Sequence, residues 1–155
     1  MIVFVDSSIL GMLCNPNSSP EVNECKQWLY SLLARSARVV TSDICDYEIR
    51  RSLILALTKN SQINGLENLN DLTNIIEFIE ITKNVLYRAS EIWSQAQLQG
   101  KPTADRKALD IDLIISAHCQ LLQEEHPGRY VIIATKNIKH LSRFAEAKNW
   151  KTIKV

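Results

Sequence analysis

An acid stands directly behind the first apolar run of the chain. Asp6, followed by Ser7 and Ser8, closes Met1-Ile2-Val3-Phe4-Val5. A later apolar run, residues 130–134, is closed by Thr135-Lys136-Asn137. Two further acids open helical stretches: Glu48, after a strand ending near Thr41, and Asp112, with Asp110 and Asp105 just upstream. Carboxylates gathered from several elements can hold Mg²⁺ or Mn²⁺, hard cations that prefer carboxylate and water oxygens. Two such ions, roughly 3.5–4 Å apart, can bind the attacking water and the leaving oxygen of a phosphodiester. Without a cation the same carboxylates repel one another and their pKa values rise.

Each acid also has a structural explanation. An acid in the first turn of a helix is favoured by the helix dipole and can simply cap it. Glu48 sits among Asp46, Arg50 and Arg51, which could form a solvated charged face. Asp105 reads as a loop residue or helix cap. In a helix, Asp110 points about 200° away from Asp112, so both face one site only if Asp110 precedes the helix. Asp6 is the strongest candidate, because it directly follows a buried apolar strand.

Such a site needs a frame. Residues 2–5 form a wholly apolar run, as expected of a central buried strand. After the loop at Asn15-Pro16-Asn17-Ser18-Ser19-Pro20, Ser19 can cap a helix with Pro20 at its first position. Residues 38–41 read as a second strand. Ser42 or Asp43 can cap the next helix, whose apolar face is Ile49, Leu53, Ala56 and Leu57. Helices are expected over 66–78, 85–97 and 109–122, a third strand over 79–81, and a turn at Gly100-Lys101-Pro102-Thr103. The β-favouring run 130–134 is expected to be followed by a short helix over 138–147 and a last strand over 150–155. Strands alternating with helices predict an α/β fold: a central, mainly parallel sheet flanked by helices on both faces. Open parallel sheets place their sites beyond the carboxyl ends of the strands, where Asp6 and Thr135 stand.

With 155 residues, one core and one domain spanning 1–155 are expected. The net charge is only +1, so nucleic-acid binding would depend on local arrangement of basic residues rather than on the overall field. Cys14, Cys25, Cys45 and Cys119 lack zinc or disulfide spacing and read as reduced, mostly buried thiols. The opening residues look like a strand and not a signal peptide, and no apolar run approaches the roughly 18 residues of a membrane span. A cytoplasmic protein is the expectation. His118, His126 and His140 have neither zinc-site spacing nor a recognised nucleophile motif.

The order of the segments resembles the PIN-domain family and, within it, VapC-like toxins of bacterial toxin–antitoxin pairs. Phe4-Val5-Asp6-Ser7-Ser8-Ile9-Leu10, Asp46-Tyr47-Glu48-Ile49-Arg50-Arg51, Asp112-Leu113-Ile114-Ile115-Ser116-Ala117 and Ala134-Thr135-Lys136-Asn137 carry the resemblance. It covers nearly the whole chain. It implies a ribonuclease that uses Mg²⁺ or Mn²⁺ to hydrolyse RNA phosphodiester bonds. Asp6, Glu48 and Asp112 would be the catalytic metal ligands, with Ser8 and Thr135 in support. Asn137 stands where many relatives have an acid, and His140 lies near a position where an acid is frequent. An amide is a weaker ligand than a carboxylate, so a second ion would rest on Asn137 or on Asp110. Arg50, Arg51, Lys101, Arg106, Lys107, Lys136 and Lys139 could hold phosphates or simply be solvated. The resemblance further implies a homodimer held inactive by a small cognate antitoxin, with Trp28, Tyr30, Leu53 and Leu57 as candidate contact surface.

Other readings stay open. A PIN-fold binding module for nucleic acid or protein, with little activity, is compatible with Asn137. A receiver-type phosphoacceptor needs an Asp at the end of the third strand, and Ile79-Glu80-Ile81-Thr82-Lys83 has none. A haloacid-type phosphatase needs Asp-x-Asp after the first strand, where Ser8 stands instead.

Overall fold

The computed structural model describes residues 1–60, 65–100 and 106–154, and for 106–109 the helical backbone alone. β1 (Ile2–Val5), β2 (Arg38–Ser42), β3 (Glu77–Ile79), β4 (Val131–Thr135) and β5 (Ala147–Asn149) form one sheet in the order β3-β2-β1-β4-β5. Every pairing is parallel. The central strands are apolar because both their faces are covered. Ile2, Val3, Phe4 and Val5 have no exposed surface at all.

The helices between strands are α1 (Ser7–Leu13), α2 (Pro20–Ala34), α3 (Asp43–Lys59), α4 (Gly65–Leu72), α5 (Lys83–Leu98), α6 (Arg106–Glu125) and α7 (Ile138–Leu141). Side-chain oxygens set several of their starts. Ser19 accepts from the Val22 N–H, Ser42 from Ile44 and Thr82 from Val85. Pro20 occupies the first turn of α2, where no N–H is needed.

The chain steps from β1 to β2 to β3 in one direction, then returns across the sheet to β4 and β5. Right-handed crossovers therefore place α1–α4 on one face and α5–α7 on the other. The order reverses between β1 and β4, and the crevice beyond their carboxyl ends is where such folds bind ligands. The main core surrounds β1 and β4, and a smaller cluster, Val85, Ala89, Ile92, Leu113 and Ala117, seals α5 against α6. All four cysteines are buried and free.

Several boundaries differ from expectation. A helix, α1, capped by Asp6, fills the stretch between the first strand and the loop at 15–20. The helix expected over 66–78 ends at Leu72. Thr73, Asn74 and Ile75 donate to carbonyls three residues back, so the helix tightens and stops, and the β-branched pair Ile75-Ile76 leads into β3. β3 therefore lies two residues earlier than 79–81, because Thr82 must leave the sheet to cap α5. The helix expected over 138–147 is one turn. The Ile133 N–H reaches the Glu146 carbonyl, drawing Ala147 into the sheet as β5. Residues 150–152 form a 3₁₀ turn instead of a strand. There Trp150 is buried edge-on against Trp28, ring centroids 5.6 Å apart. The turn expected at 100–103 lies outside the described residues beyond Gly100.

Candidate active site

Asp6 leaves the tip of β1 and caps α1. Its Oδ1 accepts from Ser8 Oγ at 2.6 Å and from the Ile9 N–H at 3.0 Å. Its Oδ2 accepts from Thr135 Oγ1, at the tip of β4, at 2.5 Å. The carboxylate thus ties together the two strands that flank the crossover reversal. Thr135 Oγ1 also accepts from the Asn137 N–H at 2.8 Å, and Ser8 Oγ from the Lys136 N–H at 3.0 Å. Burial raises the Asp6 carboxyl above its usual range, against the pull of its hydrogen bonds to Ser8, Thr135 and Ile9. Its capping role and its place in the crevice are compatible, because a cap occupies one oxygen and a carboxylate has several lone pairs.

Glu48 stands in the second turn of α3 and Asp112 in α6, and the charges of Asp6 and Glu48 both act on Asp112. Burial pushes the Asp112 carboxyl from 3.8 to about 6; His140 opposes the rise, while the negative charges of Asp6 and Glu48 add to it. Three acids from three elements therefore share one electrostatic field. α3 and α6 also meet through a buried bond, His118 Nε2 to Ser42 Oγ at 2.8 Å. Burial lowers His118 to about 4, so it stays neutral and acts as a strut between the helices.

The donor set fits a hard divalent ion in one respect. Mg²⁺ keeps several waters and takes one or two carboxylates plus substrate phosphates, and Asp6, Glu48 and Asp112 offer that kind of donor. Among the described residues, no three His, Cys, Asp or Glu side chains stand close enough to clasp an ion directly. Ion binding would draw Glu48 and Asp112 inward or use bridging water.

Other candidates fall elsewhere. α6 already begins at Arg106, so Asp110 is inside the helix and turned away from Asp112. It lines a groove of about 440 Å³ with Leu86, Trp93 and Leu113, between α5 and α6. The structure thus corrects the idea that Asp110 compensates for a missing acid. Asn137 is exposed at the start of α7 and makes no side-chain capping bond. Arg50 is engaged: Nε and one terminal nitrogen each donate to Asp46 at 2.8 Å, and the other terminal nitrogen donates to Asn70 at 2.9 Å. It fastens α3 to α4 rather than waiting for phosphate. Arg51 lies over the exposed Tyr47 ring, 5.3 Å from its centroid. Lys136 stands beside the crevice, ion-paired to Glu21 at 3.0 Å. Lys139 is exposed on α7. Lys101 and Asp105 lie outside the described residues, as do the side chains of Arg106 and Lys107.

Of the proposed contact surface, Tyr30 is exposed, whereas Leu53 packs on the core and Trp28 donates from Nε1 to the Ile153 carbonyl at 3.0 Å. His140 was not singled out as a site residue from its type or spacing, yet its Nδ1 lies 3.9 Å from Asp112 Oδ2. The available signal was its position, five residues past Thr135 at the tip of β4. Among the described residues, no helix is long and apolar enough to cross a membrane.

A family model described as PIN domain matches residues 3–146. No curated protein sequence matches the chain. Solved structures match over nearly its full length. A VapBC2 complex from Rickettsia felis bound to a DNA fragment from its promoter contains a chain 18% identical at a TM-score of 0.66, covering 97% of this chain and 99% of that one. VapBC-1 from nontypeable Haemophilus influenzae gives 17% identity and a TM-score of 0.64, with 98% and 100% covered. FitAB bound to the IR36 DNA fragment gives 17% and 0.68, with 99% and 98% covered. At these identities the likeness concerns the fold.

Proposed function

The chain belongs to the PIN-domain family, and on that premise we propose that it is a metal-dependent endoribonuclease, the toxin of a toxin–antitoxin pair. The observation that carries this reading is the placement of Asp6, held by Ser8 and Thr135 beyond the strand ends where the sheet order reverses, with its charge and that of Glu48 both acting on Asp112. A cluster that is unfavourable to the apo protein is understandable if a cation normally relieves it. The VapBC and FitAB complexes among the structural matches support a cognate antitoxin, and a homodimer in the cytoplasm is part of the same proposal.

Mg²⁺ or Mn²⁺, when bound, would supply activation of water and neutralisation of charge developing on the phosphoryl oxygens. The chain's own residues do the rest. Ser8 and Thr135 hold Asp6 so that its carboxylate cannot rotate away from the crevice. Glu48 and Asp112 close the two sides. Lys136, released from Glu21, reaches phosphate at the rim. RNA is the proposed substrate, with basic side chains beside the crevice such as Lys136 to meet its phosphates.

The test is incubation of the purified protein with a mixed set of labelled RNAs, in Mg²⁺, in Mn²⁺ and in chelator, beside Asp6→Asn. Cleavage that requires metal and vanishes in the variant is expected. Cleavage of equal rate in chelator, or in the variant, would refute the mechanism. No cleavage of any RNA would favour a binding module, a reading to which the uncharged Asn137 lends weight.

A further inference from the structure

Cations also gather away from the acids. A groove of about 480 Å³ runs between α2 and the last segment of the chain, and its walls include Glu24, Trp28, Arg35, Lys151, Ile153 and Lys154. Three cations face one acid there. Other grooves carry the opposite sign. The one beside β3 sets Glu77, Glu80 and Glu125 against Arg38, and the one between α5 and α6 has Asp110 and, among its described lining, no cation. With a net charge of only +1, the protein can attract a polyanion only through such a local excess.

The fold joins this groove to the crevice. β4 and β5 are parallel neighbours, so Lys136, just past β4, and Lys151, just past β5, stand at the same edge of the sheet. Both reach α2. Lys136 pairs with Glu21 at 3.0 Å, and Lys151 pairs with Glu24, one turn further along the helix, at 2.8 Å. The Lys136 N–H is held by the Ser8 hydroxyl that donates to Asp6. From Glu24 the helix runs on for about 16 Å to Arg35. The groove wall is fixed: Trp28 Nε1 donates to the Ile153 carbonyl at 3.0 Å, and Lys151 Nζ stands 5.1 Å from the Trp150 ring centroid. Trp28 is half-buried and keeps part of its ring open. Both lysine pairs are about half exposed, and exposed ion pairs contribute little, so a phosphate can replace either carboxylate at small cost.

We propose that this groove is a second RNA subsite, which receives the strand as it leaves the crevice: Lys151 and Lys154 take backbone phosphates, and an unpaired base packs on the open part of Trp28. The inference rests on the nuclease reading and extends it. A basic groove with an aromatic platform holds single strands without reading their sequence. Its contacts add affinity and position the strand rather than specify it.

The experiment is fluorescence anisotropy of the full chain with a labelled single-stranded RNA of mixed sequence, roughly 20 nucleotides long, in chelator to prevent cleavage and at several salt concentrations. The double variant Lys151→Ala with Lys154→Ala is compared with wild type and with Lys59→Ala plus Lys148→Ala, which removes the same charge from exposed positions elsewhere. Two phosphate contacts at about 0.7 each predict that the slope of log affinity against log salt becomes shallower by about 1.4 in the groove variant, with binding about tenfold or more weaker at ~0.1 M salt. The control pair should stay within roughly twofold of wild type. The same RNA carrying 4-thiouridine should photocrosslink to Trp28 or its neighbours on α2. A groove variant that binds like the control pair, or crosslinks confined to the crevice, would overturn the subsite; metal-dependent cleavage that Asp6→Asn abolishes would then leave the nuclease reading standing. Wild type that binds no RNA would overturn the subsite, and absence of cleavage as well would overturn the nuclease reading with it.

Discussion

Asp112→Asn should stabilise the metal-free protein. Asp112 is displaced from 3.8 to about 6, chiefly by burial, with Asp6 and Glu48 adding repulsion. Its side chain is only 17% exposed, so solvent screens it little. About two pK units at roughly 1.4 kcal/mol each give about 3 kcal/mol, the penalty for keeping this carboxylate charged in the folded state at neutral pH. The folded value is raised above the unfolded one. The associated stability is therefore fully present below about pH 4 and is lost as pH rises through about 6. An amide has the same shape and no charge, although its own hydrogen bonds will be imperfect. A net gain of about 1–3 kcal/mol is expected at pH 7.5 in chelator, a rise in Tm of roughly 3–10 °C for a chain of this size. The assay is urea and thermal unfolding at pH 7.5 and pH 5, with chelator and with Mn²⁺. The gap should narrow at pH 5, where wild-type Asp112 takes up its proton, and should reverse in Mn²⁺, which only wild type binds tightly. If the variant is no more stable than wild type in chelator at pH 7.5, burial does not hold the Asp112 carboxyl above its ordinary range, and the reasoning fails.

Asp6→Asn should remain folded, because Asn is as good an N-cap as Asp, while metal-dependent RNA cleavage falls at least ~100-fold; a melting scan beside the cleavage assay separates the two. Thr135→Val removes the buried donor to Asp6 and should lower stability by about 1–3 kcal/mol, read as a shift in the urea midpoint without a change in slope. Arg50→Ala should cost under about 1 kcal/mol and leave RNA cleavage within roughly twofold of wild type, since the side chain is bound to Asp46 and Asn70; a tenfold loss would return Arg50 to the phosphate-binding set. His118, held neutral by burial down to about 4, makes the unfolded chain the better proton acceptor below about pH 6.5. Its contribution to stability, about 3 kcal/mol, is present above that pH and lost as pH falls through about 4, so His118→Asn should flatten the acid limb of stability against pH.

Much of the architecture was legible from pattern alone. The unbroken apolar runs at 2–5 and 130–134 could only be strands buried on both faces, and Ser19-Pro20 could only begin a helix. Those local signals, with the alternation of strands and helices, determined the parallel sheet and the polar tips carrying Asp6 and Thr135. Local signals failed where long-range contacts compete with propensity. The β5 edge was missed because its residues Ala147-Lys148-Asn149 carry no strand pattern and enter the sheet through the bond between Ile133 and Glu146. Trp150 left the expected strand because burial against Trp28 outweighs one more extended residue.

The site divides the same way. Residue type and position determined that Asp6, Glu48 and Asp112 could cooperate, because acids at the carboxyl ends of strands or in the first turns of the helices that follow point toward one edge. Only the tertiary structure decided which neighbours join them. A helix that begins at Arg106 turns Asp110 aside, a salt bridge takes Arg50 out of reach, and a single turn after β4 brings His140 to Asp112. These outcomes depend on where helices start and on which charges meet across the fold, and neither is encoded in the spacing of residues along one element.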